Sequence, residues 1–299
     1  MMPGFQSFQA LLAHCQEHRC SIAEAALAYE ASFSGKSTEM ILEGMESLLR
    51  QMRQTIADGV VSQEKSMSGL SGGDAARVMA LLHARRAPLG PTATRMIAYG
   101  VATLEENSRM KRIVACPTAG GSGSVPAVLI ALEEDMPPWQ APAASPVHPT
   151  VQGLLTAGII GEITARRIRL SGASAGCQAE VGVAAGMAAG GMVAMQGGTP
   201  EQVLSAAAVS MQNMMGLVCD PVAGLVEVPC VLRNGLSSVQ AAAAATLALA
   251  GVKSFIPLDE VVDAMALVGR MMHPSLKETA EGGLAKTPTA QAFTKKRTP

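Results

Sequence analysis

The chain has 299 residues, enough for one large domain or two smaller ones. Its 23 Lys and Arg residues nearly balance its 24 Asp and Glu residues, and a net charge of −1 argues against a nucleic-acid or anionic-membrane partner. Hydrophobic residues make up 48% of the chain, which excludes disorder over most of it. Aromatic residues make up only 3%, so the core must consist of aliphatic side chains and Met, which favours closely packed helices over a β-sandwich.

Apolar residues recur at helical spacing along almost the whole chain, and no run of alternating strands is found. We therefore predict an all-α fold, a compact multi-helix domain with glycine-rich loops at helix N-termini. The predicted helices cover residues 8–31, 37–57, 73–85, 92–110, 126–135, 151–167, 177–195, a segment after 199–201, 231–252 and 258–272.

Two segments interrupt this helical pattern. Residues 136–149 contain five prolines and predict an irregular connector. Residues 286–299 are polar, basic and contain proline, which predicts a flexible tail after a single domain over residues 1–285.

The most apolar run, residues 181–195, is short and consists mostly of Gly and Ala. A membrane span needs about 20 strongly apolar residues, so a buried core helix is the better interpretation. Gly182, Gly186 and Gly190 recur at four-residue spacing in this run, which predicts close helix–helix contacts along one face. The N-terminal residues lack a basic stretch followed by an apolar one, which favours a cytoplasmic protein over a secreted one.

Two Gly/Ser-rich segments, residues 66–73 and 116–124, each precede a predicted helix. Backbone N–H groups at such a position can bind a carboxylate or phosphate. Neither segment has the Lys-Ser/Thr ending of a nucleotide-binding P-loop, and from spacing alone an ordinary turn explains both.

Six cysteines are present, and three of them, Cys177, Cys219 and Cys230, lie beside Gly or Pro in loop-like or helix-start positions. Their spacings of 42 and 11 residues match no general zinc or ferredoxin pattern. The spacing therefore leaves open whether they are buried structural residues or metal ligands. Of the five histidines, His148 in the proline-rich connector is the least easily explained as structural.

Several of these segments occur as longer motifs: SGLSGGDA (68–75), CPTAGGSGSVPAVL (116–129), GCQAEVG (176–182), MMGLVCDPVAGLVEVPCVLRN (214–234) and LKETAEGGLAKTPT (276–289). Taken together, they resemble the alpha chain of iron–sulfur-dependent L-serine dehydratase (L-serine ammonia-lyase). The resemblance covers residues 66–289, most of the chain.

The resemblance implies an all-helical catalytic unit in which Cys177, Cys219 and Cys230 hold a [4Fe–4S] cluster. Three thiolates leave one iron open as a Lewis acid. The implied reaction is β-elimination of water from L-serine, giving pyruvate and ammonia without pyridoxal phosphate. A backbone-amide pocket must bind the substrate carboxylate, and the candidate residues are Ser68, Gly69, Ser71, Gly72, Thr118, Ala119, Gly120, Gly121 and Ser122.

The catalytic base is not identified from the sequence. His148 is a weak candidate, and the resemblance also implies a separate beta chain that completes the enzyme as a hetero-oligomer and can supply the base. Where some family members have Glu-His-Asn, this chain has Gln212, Asn213 and Met214, so a histidine from that stretch is not the base here. Ser174 stands where an acidic residue is common in the family.

Two other functions remain open at this point. One is an L-cysteine desulfidase, in which the same site releases sulfide instead of water. The other is a non-catalytic helical subunit whose metal site is only structural.

Overall fold

The computed structural model describes residues 4–137 and 147–297, and within these ranges the chain forms thirteen α-helices. They contain no β-strand, and the β-type pairing found is one isolated bridge between Cys219 and Lys277. The predicted all-α fold is therefore confirmed. The helices are α1 (Phe8–His18), α2 (Ile22–Ser34), α3 (Thr38–Val61), α4 (Asp74–His83), α5 (Pro91–Ser108), α6 (Ser124–Asp135), α7 (Pro149–Ala165), α8 (Gly172–Ala175), α9 (Val181–Met195), α10 (Pro200–Asn213), α11 (Cys230–Leu249), α12 (Leu258–Met271) and α13 (Pro288–Arg297).

Helix α9 lies at the centre of the bundle and packs against α6, α7, α10 and α11. All of its residues except Ala194 are buried. Its glycines permit this packing, as predicted, because a Cβ on Gly182 would lie 3.1 Å from Met214 and a Cβ on Gly186 would lie 2.6 Å from Met211. The small residues thus let neighbouring helices approach the α9 backbone closely.

Helix α7 crosses α9 in the antiparallel sense. A Cβ on Gly153, near the start of α7, would lie 2.9 Å from the carbonyl oxygen of Gly191, near the end of α9. Eight residues later, Gly161 lies against Met187, one turn earlier in α9. The N-terminus of α7 therefore lies at the C-terminal end of α9, opposite the end that follows Cys177.

Local sequence signals set several helix boundaries. Ser37 caps α3 by accepting a hydrogen bond from Met40 N–H, and Thr199 forms a capping box with Gln202 at the start of α10. The single helix predicted over residues 8–31 is wrong. Arg19 adopts a left-handed conformation and ends α1, and Ser21 forms a capping box with Glu24 that starts α2.

Within the tail that was predicted to be flexible, Pro288–Arg297 forms α13, a helix that was not predicted. Thr287 accepts a hydrogen bond from Ala290 N–H, and Pro288 occupies the first helical position, where the missing N–H has no cost. Ala290 is buried and anchors the helix against the preceding loops. Most of the proline-rich connector predicted over 136–149 lies outside the described residues.

Among helices in the described part of the chain, none is both long enough and apolar enough to cross a bilayer. The apolar segment 181–195 is the buried α9, as predicted from its Gly and Ala content.

Candidate active site

Three cysteines from distant parts of the sequence converge at the N-terminal end of α9. Cys177 begins the short 3-10 helix before α9, Cys219 lies in the loop after α10, and Cys230 is the first residue of α11. Each is at most 5% exposed, and none forms a disulfide within the described ranges. The thiols of Cys177 and Cys219 are in hydrogen-bond contact, and the charge of Cys177 acts on Cys230.

Backbone contacts fix Cys219 in this position. Its N–H donates to Leu276 O at 2.9 Å, and its carbonyl accepts from Glu278 N–H at 2.8 Å. A glycine is required opposite its side chain, since a Cβ on Gly172 would lie 2.5 Å from Cys219 Sγ. The segment 276–289 identified in the sequence thus serves as a support for the second cysteine.

Arg233 lies beside the thiols and is held by two acceptors. Its guanidinium donates to Val218 O and to Asp220 Oδ1, both at 2.9 Å. Its positive charge acts on Cys177, so a fixed cation lies next to a sulfur atom. The other oxygen of Asp220 accepts from Leu284 N–H at 2.8 Å, which connects this ion pair to the 276–289 segment.

The three thiols do not ionise alike. The hydrogen bond from Cys219 lowers the pKa of Cys177, against the effect of burial and with help from Arg233. The pKa of Cys219 is raised because its thiol donates to Cys177 and is buried. Burial and the charge of Cys177 raise the pKa of Cys230 to about 12. In the metal-free chain one thiol is thus poised to ionise first, and metal binding must displace protons from the others.

The loop containing Thr118, Ala119, Gly120, Gly121 and Ser122 lies against this end of α9. Thr118 Oγ1 donates to Glu180 Oε1 at 2.9 Å, and a Cβ on Gly121 would lie 3.0 Å from the Glu180 carbonyl oxygen. The backbone N–H groups of Thr118, Ala119 and Gly120 have no acceptor among the described residues. Such free amides are what a bound carboxylate requires.

Asn234 ties this loop to the cysteines. Its Oδ1 accepts from Gly123 N–H at 2.9 Å, and its Nδ2 donates to Gly120 O at 2.8 Å and to Cys230 O at 3.0 Å. Because the side chain is fully buried, this one amide fixes the loop relative to the start of α11.

The other glycine-rich loop, with Ser68, Gly69, Ser71 and Gly72, is also joined to the cysteine-bearing segment. Ser71 Oγ donates to Glu227 Oε2 at 2.7 Å, three residues before Cys230. Ser68 Oγ instead accepts from Leu70 N–H within the loop's own turn. The structure thus brings both candidate loops to the segment that carries Cys230, although the hydroxyl of Ser71 is already engaged by protein.

His148 lies elsewhere. It caps α7, accepting from Thr150 N–H at 3.3 Å, and Glu133 Oε1 is 3.6 Å from the same ring nitrogen. It precedes Gly153, which packs at the far end of α9 from Cys177. At 1.5 Å per residue the length of α9 separates the two by roughly 20 Å. His148 therefore does not face the three cysteines of its own chain.

The carboxylate of Glu180 was not predicted from the sequence, although it lies between the loop and the thiols. Burial raises its pKa and the nearby Glu278 adds to this, while the hydrogen bond from Thr118 opposes the shift. Arg233 and Asn234 were also missed. Their spacing from the cysteines could have identified them. Glu180 follows Cys177 by three residues, and Arg233 and Asn234 follow Cys230 by three and four residues, about one helical turn.

Cys177, Cys219 and Cys230 are the residues that would hold a metal group at this site. Within residues 4–137 and 147–297, no three His, Cys, Asp or Glu side chains converge tightly enough to hold one ion. A [4Fe–4S] cluster instead takes one thiolate on each of several irons. The three buried cysteines lie on separate segments with Arg233 beside them, and each would hold one iron of such a cluster.

Comparison with known proteins identifies the family of the chain. A family model described as serine dehydratase alpha chain matches residues 17–285. The chain belongs to the serine dehydratase alpha chain family. The probable L-serine dehydratase alpha chain of Bacillus subtilis is 42% identical over 292 residues, covering 98% of this chain and 95% of that relative. The L-serine dehydratase alpha chain of Peptoniphilus asaccharolyticus is 37% identical, covering 93% and 92%.

Some members of the serine dehydratase family are longer. The L-serine dehydratase of Haemophilus influenzae is 34% identical over 293 residues, which cover 94% of this chain but 61% of that relative. The family membership predicted from the five motifs is thus confirmed over nearly the full chain.

Proposed function

We propose that this chain is the catalytic alpha chain of an L-serine dehydratase that converts L-serine to pyruvate and ammonia. The observation that carries the proposal is the convergence of Cys177, Cys219 and Cys230 beside the free backbone amides of the 118–122 loop. The relatives named above are all called L-serine dehydratases, which favours serine over cysteine as the substrate.

In this proposal Cys177, Cys219 and Cys230 hold a [4Fe–4S] cluster. When bound, the cluster supplies an open iron as a Lewis acid that makes the serine hydroxyl a better leaving group. The N–H groups of Thr118, Ala119 and Gly120 bind the substrate carboxylate. Asn234 and Glu180 hold that loop at a fixed distance from the thiols.

The net reaction is balanced. A base removes the Cα proton, the β-hydroxyl leaves as water, and the resulting aminoacrylate takes up a proton on carbon to become an imine. Hydrolysis of the imine consumes one water and gives pyruvate and ammonia. His148 lies at the far end of α9 from the cysteines, and α10 contains no histidine, which favours a base on a separate beta chain.

We further propose a cytoplasmic hetero-oligomer with that beta chain. The relatives from Bacillus subtilis and Peptoniphilus asaccharolyticus, which this chain matches over more than 90% of their length, are named alpha chains. No nucleic acid or membrane partner is part of the proposal, in keeping with the net charge of −1.

The test measures the number of iron and acid-labile sulfide atoms per alpha chain after purification without oxygen. Activity is then assayed with the beta chain added. We expect about four of each, a sharp fall in Cys219→Ser, and no change in Cys20→Ser, a matched cysteine outside the site. Pyruvate from L-serine, measured beside sulfide from L-cysteine, separates dehydratase from desulfidase. A metal that survives air and does not respond to serine would instead indicate a structural site.

A further inference from the structure

The carboxylate of Glu180 forms part of the wall between the 118–122 loop and the thiols. Glu180 is the last residue before α9, and its Oε1 accepts from Thr118. A Cβ on Gly120 would lie 3.3 and 3.4 Å from its two carboxylate oxygens, and a Cβ on Gly172 would lie 3.0 Å from Oε2. The glycines therefore let the two segments approach the carboxylate closely, where larger residues would collide with it, and the Glu180 side chain stays partly exposed.

This carboxylate has no positive partner. Among the described residues no Lys, Arg or His forms an ion pair with Glu180. Another acid, Glu278, acts on its charge, and the cation beside the thiols, Arg233, is already held by Asp220. A half-buried carboxylate with a second acid beside it and no cation is suited to a positively charged ligand.

The same carboxylate lies close to a cysteine thiol. A Cβ on Gly172 would lie 2.5 Å from Cys219 Sγ and 3.0 Å from Glu180 Oε2. The two atoms are therefore no more than 5.5 Å apart, the sum of 2.5 and 3.0 Å. L-Serine carries its ammonium and hydroxyl groups on adjacent carbons. When the hydroxyl group lies at the cysteine site, the ammonium group is therefore within reach of Glu180.

We propose that Glu180 binds the α-ammonium group of L-serine and selects amino acids over the corresponding hydroxy acids. The inference rests on the proposed dehydratase function. The loop amides bind the carboxylate and Glu180 binds the ammonium group, so two contacts on this chain fix the orientation of Cα. The enzyme thereby discriminates against substrates that carry a carboxylate and a hydroxyl group but no amine.

The test compares wild-type and Glu180→Gln holoenzyme, each assembled anaerobically with the beta chain. Two constants are measured: KM for L-serine and the inhibition constant of 3-hydroxypropionate, which keeps the carboxylate and hydroxyl groups but lacks the amine. Loss of a charged hydrogen bond predicts a 10- to 100-fold rise in KM, whereas the inhibition constant changes by less than about twofold. Titration of the visible absorption with L-serine gives a binding readout that does not depend on turnover.

Several outcomes would overturn the inference. An unchanged KM with a lower kcat would make Glu180 a proton-transfer group, and equal rises in both constants would make it a support for the loop. Glu43→Gln, an exposed acid on α3, is the control and should leave both constants unchanged. If Glu180→Gln does not fold or assemble, Glu180→Asp keeps the charge and should raise KM alone.

The two proposals fail separately. If wild-type holoenzyme produces no pyruvate from L-serine, the proposed function is wrong. If the wild type is active and Glu180→Gln retains wild-type KM and serine titration, only the ammonium-binding role is wrong.

Discussion

Replacement of Asn234 by alanine tests whether one buried amide holds the substrate loop against the cysteine-bearing helix. The side chain is fully buried and makes three hydrogen bonds, to Gly123 N–H, Gly120 O and Cys230 O. Cys230 O keeps its partner within α11, but the other two groups lose theirs. At about 1–3 kcal/mol for each buried group left unsatisfied, the expected loss of unfolding free energy is about 2–6 kcal/mol.

The measurement is urea unfolding of the alpha chain followed by circular dichroism, with a matched Asn213→Ala variant. Asn213 is exposed at the end of α10, so its replacement should change stability by less than about 0.5 kcal/mol. In the assembled enzyme, Asn234→Ala should also raise KM for L-serine, because the loop amides lose their anchor. Equal stabilities of the two variants would refute the assignment of Asn234 as the anchor of the loop.

Two further predictions address packing and charge. A Cβ on Gly123 would lie 2.6 Å from Gly100 O, so Gly123→Ala should lower the free energy of unfolding by about 1–3 kcal/mol, measured by thermal or urea unfolding. The control is Gly158→Ala, on an exposed turn of α7 with nothing within 4 Å, which should raise the free energy of unfolding by about 0.5–1 kcal/mol. Similar effects of the two substitutions would contradict the packing argument. Burial raises the pKa of Asp135, but hydrogen bonds from Thr92 and Arg95 outweigh this effect and lower it. The carboxylate therefore stabilises the fold above pH 3.8, and this contribution disappears as pH falls through the folded-state pKa. Asp135→Asn should therefore be less stable than wild type by up to about 1 kcal/mol at pH 7 and equal to it near pH 2; a difference that persists at low pH would exclude this cause.

The local features of the fold were predictable because their causes are local. Helical periodicity, the Ser37 and Thr199 caps and the glycine spacing of α9 each depend on residues within a few positions of one another. The break at Arg19 and Ser21 was missed although its capping box is visible in the sequence, and the Thr287-Pro288 start of α13 was outweighed by the polar composition of the tail. Both features were missed because amino-acid composition was given more weight than the residues that cap helices.

The sequence by itself determined the all-helical class and the family, and it predicted the three cysteines as ligands, because periodicity and long motifs are properties of the linear chain. Only the tertiary structure decided which side chains surround those cysteines. Arg233, Asn234 and Glu180 are positioned by contacts with other residues up to 114 positions away, as Asn234 is by Gly120. Antiparallel packing of α7 on α9 likewise removed His148 from the site. Which side chains of different helices come close together depends on how the helices pack, and the spacing of residues along one helix does not predict it.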